Sequence, residues 1–184
     1  MAAHSGLSAA DFARRALDIE WILCDVDGVL TDGGLYYDRR GHGMLRFDVR
    51  DGLGLKLAQR AGLKTGVLSG RASAALDHRA AELGLDLVMS GERDKTTALE
   101  RFIDEQGTPP RRIAFIGDDL PDIVVLARCG LTFAPADAAD EVKTVVHQVL
   151  DASGGQGAVR EMIEAILHAR GDWDGVFRPF TFDR

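Results

Sequence analysis

The sequence predicts an α/β fold: a doubly wound, mostly parallel sheet with helices on both faces, a small β-hairpin insertion and no large cap domain. Three observations carry that expectation. Short apolar runs of strand length alternate with stretches whose apolar residues recur at helical spacing. Three of those runs end in polar clusters, at Asp25-Val26-Asp27-Gly28, Ser69-Gly70-Arg71 and Gly117-Asp118-Asp119. The length, 184 residues, suits one domain with a full hydrophobic core rather than two.

The elements follow in order. Ser8, with Asp11 three residues on, opens a short first helix. Residues 19–24 form a compact apolar run suited to a buried strand. Residues 35–47 read as a hairpin, two strand-like arms around Arg40-Gly41-His42-Gly43. Leu53, Leu57 and Ala61 mark a helix that Gly62 stops, and a second strand spans 65–68. Ala72, Ala75, Leu76, Ala80 and Leu83 give a helix face closed by Gly84, ahead of a third strand at 85–89. Leu99, Phe102 and Ile103 mark a helix that ends before Gly107 and the Pro109-Pro110 breaker. A fourth strand at 113–116, a helix from about 121 to 127 and a strand near 131–133 follow. Val159, Met162, Ile163, Ile166 and Leu167 form the clearest amphipathic pattern in the chain. Without internal repeats or low-complexity linkers, residues 1–184 read as one domain with a hairpin at about 34–47 and a tail at about 171–184.

Composition narrows the function. Lys plus Arg number 22 and Asp plus Glu 29, a net charge of 22 − 29 = −7 that argues against a nucleic-acid or anionic-membrane surface. Apolar residues at 46% and charged residues at 28% are those of a soluble globular protein. Cys24 and Cys129 are too few for a metal cluster and sit in or near apolar runs, so buried free thiols are expected. No uncharged apolar run approaches the roughly 18 residues of a membrane span. The first twenty residues lack a signal-type apolar core, so the expected compartment is the cytoplasm.

In parallel α/β sheets, ligands sit outside the carboxyl ends of the strands. Asp25, Ser69 and Asp118 each fall just past the end of a different strand, so three separate stretches converge on one edge. A calcium loop fails on spacing: with Asp25 at position 1, Leu30 and Tyr36 stand where Gly and Glu are required. On the Asp-x-Asp-Gly motif alone, a plain Asp-Gly turn stays open. Bland alternatives exist elsewhere as well: Ser69 as a helix N-cap, Lys95 as a solvated lysine, Arg50 and Arg71 as surface or ion-pair residues. His42 and His147 read as structural, and Tyr36 and Tyr37 as packing within the hairpin.

The order of the polar stretches adds to this. DVDGVLT (25–31) follows one strand, Ser69 the next, Lys95 opens a helix, and GDDLPD (117–122) follows a further strand. That arrangement resembles the haloacid dehalogenase-type phosphatases over nearly the whole chain. DVRDGLGL (48–55), SGR (69–71), GERDK (91–95) and GGQGAVRE (154–161) tighten the resemblance to capless members that act on phosphorylated sugar acids.

The resemblance implies a Rossmann-like fold and a Mg²⁺-dependent phosphomonoesterase. Asp25 matches the nucleophile that becomes an aspartyl-phosphate, and Asp27 the general acid and base. Ser69 and Lys95 match the groups that bind the phosphoryl oxygens. Asp25, the backbone carbonyl of Asp27, Asp118 and Asp119 match the metal ligands, with Asp122 supporting them. Arg50, Gly70, Arg71 and Arg160 are the implied substrate contacts. The implied substrate is an eight-carbon sugar acid phosphate, with a nine-carbon, sialic-acid-like 9-phosphate as alternative. A non-catalytic oligomerisation domain is the reading from another class; the intact set Asp25, Asp27, Ser69, Lys95 and Asp118 speaks against it. The intervals 27–69 and 69–95 leave no room for a large cap, and capless relatives exclude water by assembling as tetramers, so a homotetramer is expected. Two departures stand out: Gln156 where relatives commonly carry Arg, and Ser69 where many carry Thr.

Overall fold

The computed structural model describes residues 6–181. Helix α1 (Ala9–Asp18) is capped by Ser8, whose hydroxyl accepts from the Asp11 amide. Strand β1 (Trp21–Cys24) follows, then a hairpin of two short strands, β2 (Tyr36–Tyr37) and β3 (Gly43–Met44). Helix α2 (Val49–Arg60) is capped by Asp48 and leads to β4 (Lys64–Leu68). Helix α3 (Ala74–Leu83) ends on Gly84 in the left-handed region, φ 57°, as its sequence position required. After β5 (Leu87–Met89), helix α4 (Lys95–Gln106) opens on the Asp94 cap and closes on Gly107. The chain continues through β6 (Ile113–Ile116), α5 (Ile123–Leu126), β7 (Leu131–Ala134), α6 (Asp140–Lys143), β8 (Gln148–Val149), α7 (Ala158–Arg170) and α8 (Trp173–Phe177).

The main sheet has six strands in the order β5-β4-β1-β6-β7-β8, every neighbouring pair parallel. Strands β1, β6 and β7 are buried along their whole length, which is why β1 and β6 read as unbroken apolar runs. Alternate residues serve opposite cores. Ile22 and Cys24 pack with α1, α2, α3 and α7, while Trp21 and Leu23 pack with α4, α5 and α6. On the second face Trp21 meets Phe102 edge-on at 5.0 Å between ring centroids. Helix α7 buries Val159, Met162, Ile163, Ile166 and Leu167, the stripe its sequence announced. It crosses α2 closely because α2 carries Gly54: a Cβ there would stand 3.0 Å from the Arg160 Cα.

Several expectations need correction. Leu53, read as part of the inner face of α2, is 40% exposed. The helix read from about 121 to 127 is a 3₁₀ turn at Leu120–Asp122 followed by a single turn of α-helix. Helix α3 starts at Ala74 with Ser73 as its cap position, so Ser69 is no helix cap. Elements α6, β8 and α8 had no sequence counterpart. Residues 182–184 of the tail and the first five residues lie outside the described part. Both thiols are buried as expected; burial pushes the Cys24 thiol well up and that of Cys129 to about 12. Among the described residues, no helix is long and apolar enough to cross a membrane.

Candidate active site

The register of the sheet assembles the site. Cys24 lies beside Val67 on one side and Ile116 on the other, so β1, β4 and β6 end together and the residues after them meet. The Asp25 amide donates to the Ile116 carbonyl and the Ser69 amide to that of Met89, which carries the strand geometry one residue further. Beyond Asp25 the chain turns at once, with the amides of Val29, Leu30 and Thr31 all reaching the Val26 carbonyl. Gly28 sits in this turn at φ 84°, and a Cβ on it would overlap the Asp118 carboxylate at 2.1 Å from Oδ2. At the end of β6, a Cβ on Gly117 would stand 2.5 Å from that of Asp122. Both glycines serve close approach to carboxylates.

Three carboxylates converge here. One oxygen each of Asp25, Asp118 and Asp122 lie within 4.8 Å of one another. Lys95, buried at the first turn of α4, donates to Asp25 Oδ1 at 2.7 Å and to Asp122 Oδ1 at 2.6 Å. The other Asp122 oxygen accepts the amides of Asp118 and Asp119. Asp122 is therefore fully occupied in shaping the loop and anchoring the lysine. Burial, with the Asp122 charge behind it, pushes Asp25 up to about 6 against the pull of Lys95. Burial and the charges of Asp25 and Asp122 push Asp118 to about 8. For Lys95 burial works downward, yet the two aspartates outweigh it and raise the ammonium above the usual lysine value.

Two oxygens in this cluster are left over. Asp27 Oδ1 and Asp118 Oδ1 are the buried side-chain atoms, among the described residues, that have no hydrogen-bond partner. An unpaired buried acceptor is costly unless a cation or a proton meets it. With the all-oxygen donor set, the orphaned Asp118 atom fits a hard divalent cation.

The remaining sequence-derived candidates divide. Asp27 Oδ2 pairs with Arg71 Nε at 3.1 Å, which brings Arg71 to the site. Ser69 is buried, and its hydroxyl bonds the backbone of Arg71. A cavity of about 780 Å³ opens beside Gly70, Arg71 and Arg93, with Tyr37 and His42 of the hairpin also lining it. Tyr37 thus lines the cavity, with its ring also beside Gly43 of the other hairpin arm. Asp119 is turned out of the cluster, its Oδ1 capping the Leu120 amide at 2.8 Å. Arg50 grips Asp48 with Nε and Nη2 and donates to the Gln156 carbonyl at 2.7 Å. Arg160 is held by Glu164 at 2.5 Å and lies over the Trp173 ring. Neither reaches Asp25, Asp118 or Asp122 through these contacts. His42 pairs with Asp38, and His147 bonds Thr132 and Arg15. Sequence reasoning gave Asp51 no task beyond pairing with nearby charge. The structure buries it against the glycine-rich loop, and its place immediately before Gly52-Leu53-Gly54 in α2 was the signal available.

Comparison with known proteins gives the family. A family model described as haloacid dehalogenase-like hydrolase matches residues 84–163. The chain is 46% identical over 158 residues to the 3-deoxy-D-manno-octulosonate 8-phosphate phosphatase of Haemophilus influenzae, covering 86% of this chain and 88% of that one. It is 36% identical to the enzyme of the same name from Yersinia pestis, covering 92% and 91%. Among solved structures it superposes on the Moraxella catarrhalis phosphatase of that name, in complex with magnesium, phosphate and KDO. That match has a TM-score of 0.90 and 34% identity, over 93% of this chain and 98% of the other.

Proposed function

The chain belongs to the haloacid dehalogenase-like hydrolases, in the family of the 3-deoxy-D-manno-octulosonate 8-phosphate phosphatases, and we propose that it hydrolyses that same sugar acid phosphate. One observation carries the reading: Asp25, Asp118 and Asp122 meet around the buried Lys95 at the strand ends, beside Ser69 and Asp27. Such a set can attack, neutralise and protonate a phosphate ester. A Mg²⁺ held by Asp25, Asp118 and the Asp27 backbone carbonyl would neutralise the crowded carboxylates and the phosphoryl oxygens. Asp119, turned away as a cap, reaches such an ion only by changing rotamer.

The chain's own groups divide the reaction. A carboxylate oxygen of Asp25 attacks phosphorus in line with the departing sugar oxygen, forming an aspartyl-phosphate. Asp27 gives its proton to that oxygen and then takes one from the water that cleaves the intermediate. Lys95 holds Asp25 aimed through its 2.7 Å contact and sets positive charge against the oxygens of the transition state. The Ser69 hydroxyl completes that cradle, its amide being taken by the Met89 carbonyl. Arg71 stands between Asp27 and the cavity, placed to take the sugar's carboxylate or hydroxyls.

The same reading makes residues 1–184 one catalytic domain, working in the cytoplasm in a step of lipopolysaccharide sugar synthesis. It also makes the protein a homotetramer. Leu35, Tyr36, Tyr37 and Met44 of the hairpin are 47–61% exposed, a patch that copies of the hairpin would cover while closing the cavity. Arg160 and the loop before it would then serve a neighbour's site. A phosphate-release screen over sugar phosphates with Mg²⁺ tests the assignment. The eight-carbon acid 8-phosphate should have the highest kcat/KM; preference for a nine-carbon acid 9-phosphate would reassign the substrate, and no release at all would remove the enzyme reading.

A further inference from the structure

Asp51 is 1% exposed in the first turn of α2, and the reaction above does not use it. Its oxygens accept the backbone amides of Gly157 at 3.2 Å and Arg160 at 2.9 Å. Those are donors at the start of α7, a helix whose own cap position is a glycine with no side chain to offer. A residue 106 positions away thus performs the cap. Two neighbours in sequence pull on the same loop: Arg46 Nη1 donates to the Gly155 carbonyl at 2.8 Å and Arg50 Nη2 to that of Gln156 at 2.7 Å.

The loop so fixed presses on the turn that bears the aspartates. The Gly155 amide donates to the Val29 carbonyl at 2.8 Å. A Cβ on Gly154 would stand 1.8 Å from the Gly28 carbonyl oxygen, and one on Gly155 would stand 2.4 Å from the Thr31 carbonyl carbon. Gly28 meets the Asp118 carboxylate on its other side. Backbone therefore stacks on backbone from Asp51 through 154–157 to 28–31 and ends on Asp118, with no flexible side chain between to absorb a shift.

We propose that Asp51 is a positioning residue for phosphoryl transfer: by seating the glycine-rich loop on 28–31, it fixes where Asp25 and Asp27 stand relative to Asp118. Its kinetic consequence rests on the phosphatase reading; the mechanical linkage does not. A misplacement on the order of 1 Å in such a site is worth as much as 10²-fold in rate.

The test compares three variants. Asp51→Asn removes the charge and turns an amide donor toward one of the two N–H groups. Gly154→Ala leaves Asp51 alone and pushes directly on Gly28. Glu161→Gln weakens the ties of Glu161 to the Asp151 and Ala152 amides, at the far end of the same loop from Gly28. Asp51→Asn and Gly154→Ala should each lower kcat about 10- to 100-fold on sugar phosphate and on p-nitrophenyl phosphate alike, with KM within about twofold. Backbone amide exchange should quicken at 28–31 in both. Glu161→Gln should lower the melting temperature and keep kcat within about twofold. Should Asp51→Asn not fold, Gly154→Ala carries the kinetic comparison by itself. Full kcat in folded Asp51→Asn or in Gly154→Ala, or faster exchange confined to α7, would overturn the proposal. A wild-type chain that releases no phosphate would remove the phosphatase reading, and the exchange data would still decide the linkage.

Discussion

The carboxylate cluster and the hairpin beside it stand on the same edge of the sheet and are built to opposite standards. In the cluster, Asp25, Ser69, Lys95 and Asp122 are buried, and their contacts run to three different strand ends. The hairpin has two residues per strand, all exposed, and among the described residues its arms are strand-paired only with each other. Its root is fastened by the bridge of Thr31 to Phe47 and by Arg46, which donates to the Gly155 carbonyl. The cluster is thus held by the chain's own packing, whereas the hairpin beside it stands out from that packing. Two-stranded hairpins are marginal alone, so exposed aromatic and aliphatic residues on one call for a partner surface.

The largest expected effects lie on the cluster's side. Asp25→Asn should lower turnover by roughly 10⁴-fold or more, since it removes the attacking atom, and should leave the fold intact by circular dichroism. Near-normal turnover would rule out the covalent route. Next comes Asp27→Asn, which should cost about 10²- to 10⁴-fold on sugar phosphates and far less on p-nitrophenyl phosphate, whose aryl oxide leaves unaided. Equal losses on both substrates would count against the acid.

On the hairpin's side the effect should be smaller and of another kind. Leu35→Glu and Tyr37→Glu together should dissociate the assembly and lower sugar-phosphate kcat/KM roughly tenfold, as the cavity loses its cover. Sedimentation showing a fully active wild-type monomer of 19.9 kDa would break the contrast.

The smallest effect concerns pH. In the metal-free protein, burial first and neighbouring charge second raise Asp25 to about 6 and Asp118 to about 8, above the 3.8 of the unfolded chain. Between those limits the folded form binds more protons than the unfolded one, so stability falls as pH rises. The melting temperature in EDTA should therefore be lower at pH 8 than at pH 5. Saturating Mg²⁺ should shrink or invert that slope, because the cation requires the deprotonated carboxylates. An EDTA slope of opposite sign would show that Lys95 dominates the cluster.

Much of this was legible in the sequence because the governing signals are local. The strands at 21–24 and 113–116 are buried on both faces, and an unbroken apolar run is what double burial looks like in one dimension. Gly84 and Gly107 ended their helices for a conformational reason visible residue by residue. What was lost depended on contacts between distant segments. Strand β8 has two residues, and only its pairing to β7 defines it. Asp118 and Asp119 are adjacent and chemically alike, and only the fold decides which faces Asp25 and which caps a turn. Arg50 reads as a free cation until Asp48 and the Gln156 carbonyl are seen on either side of it.

The two cysteines carry a practical consequence. Cys24 lies inside the central strand and Cys129 under the opposite core, and both are held as unreactive thiols by their surroundings. Alkylating reagents should reach Cys24 only when the sheet itself comes apart, so the rate of its labelling is a clock for global opening, insensitive to fraying of the hairpin or tail. The native chain is in effect a silent background for thiol chemistry. A single cysteine placed at Gly175, where a Cβ meets nothing within 4 Å, would accept a dye or spin label by itself and report on the tail next to α7.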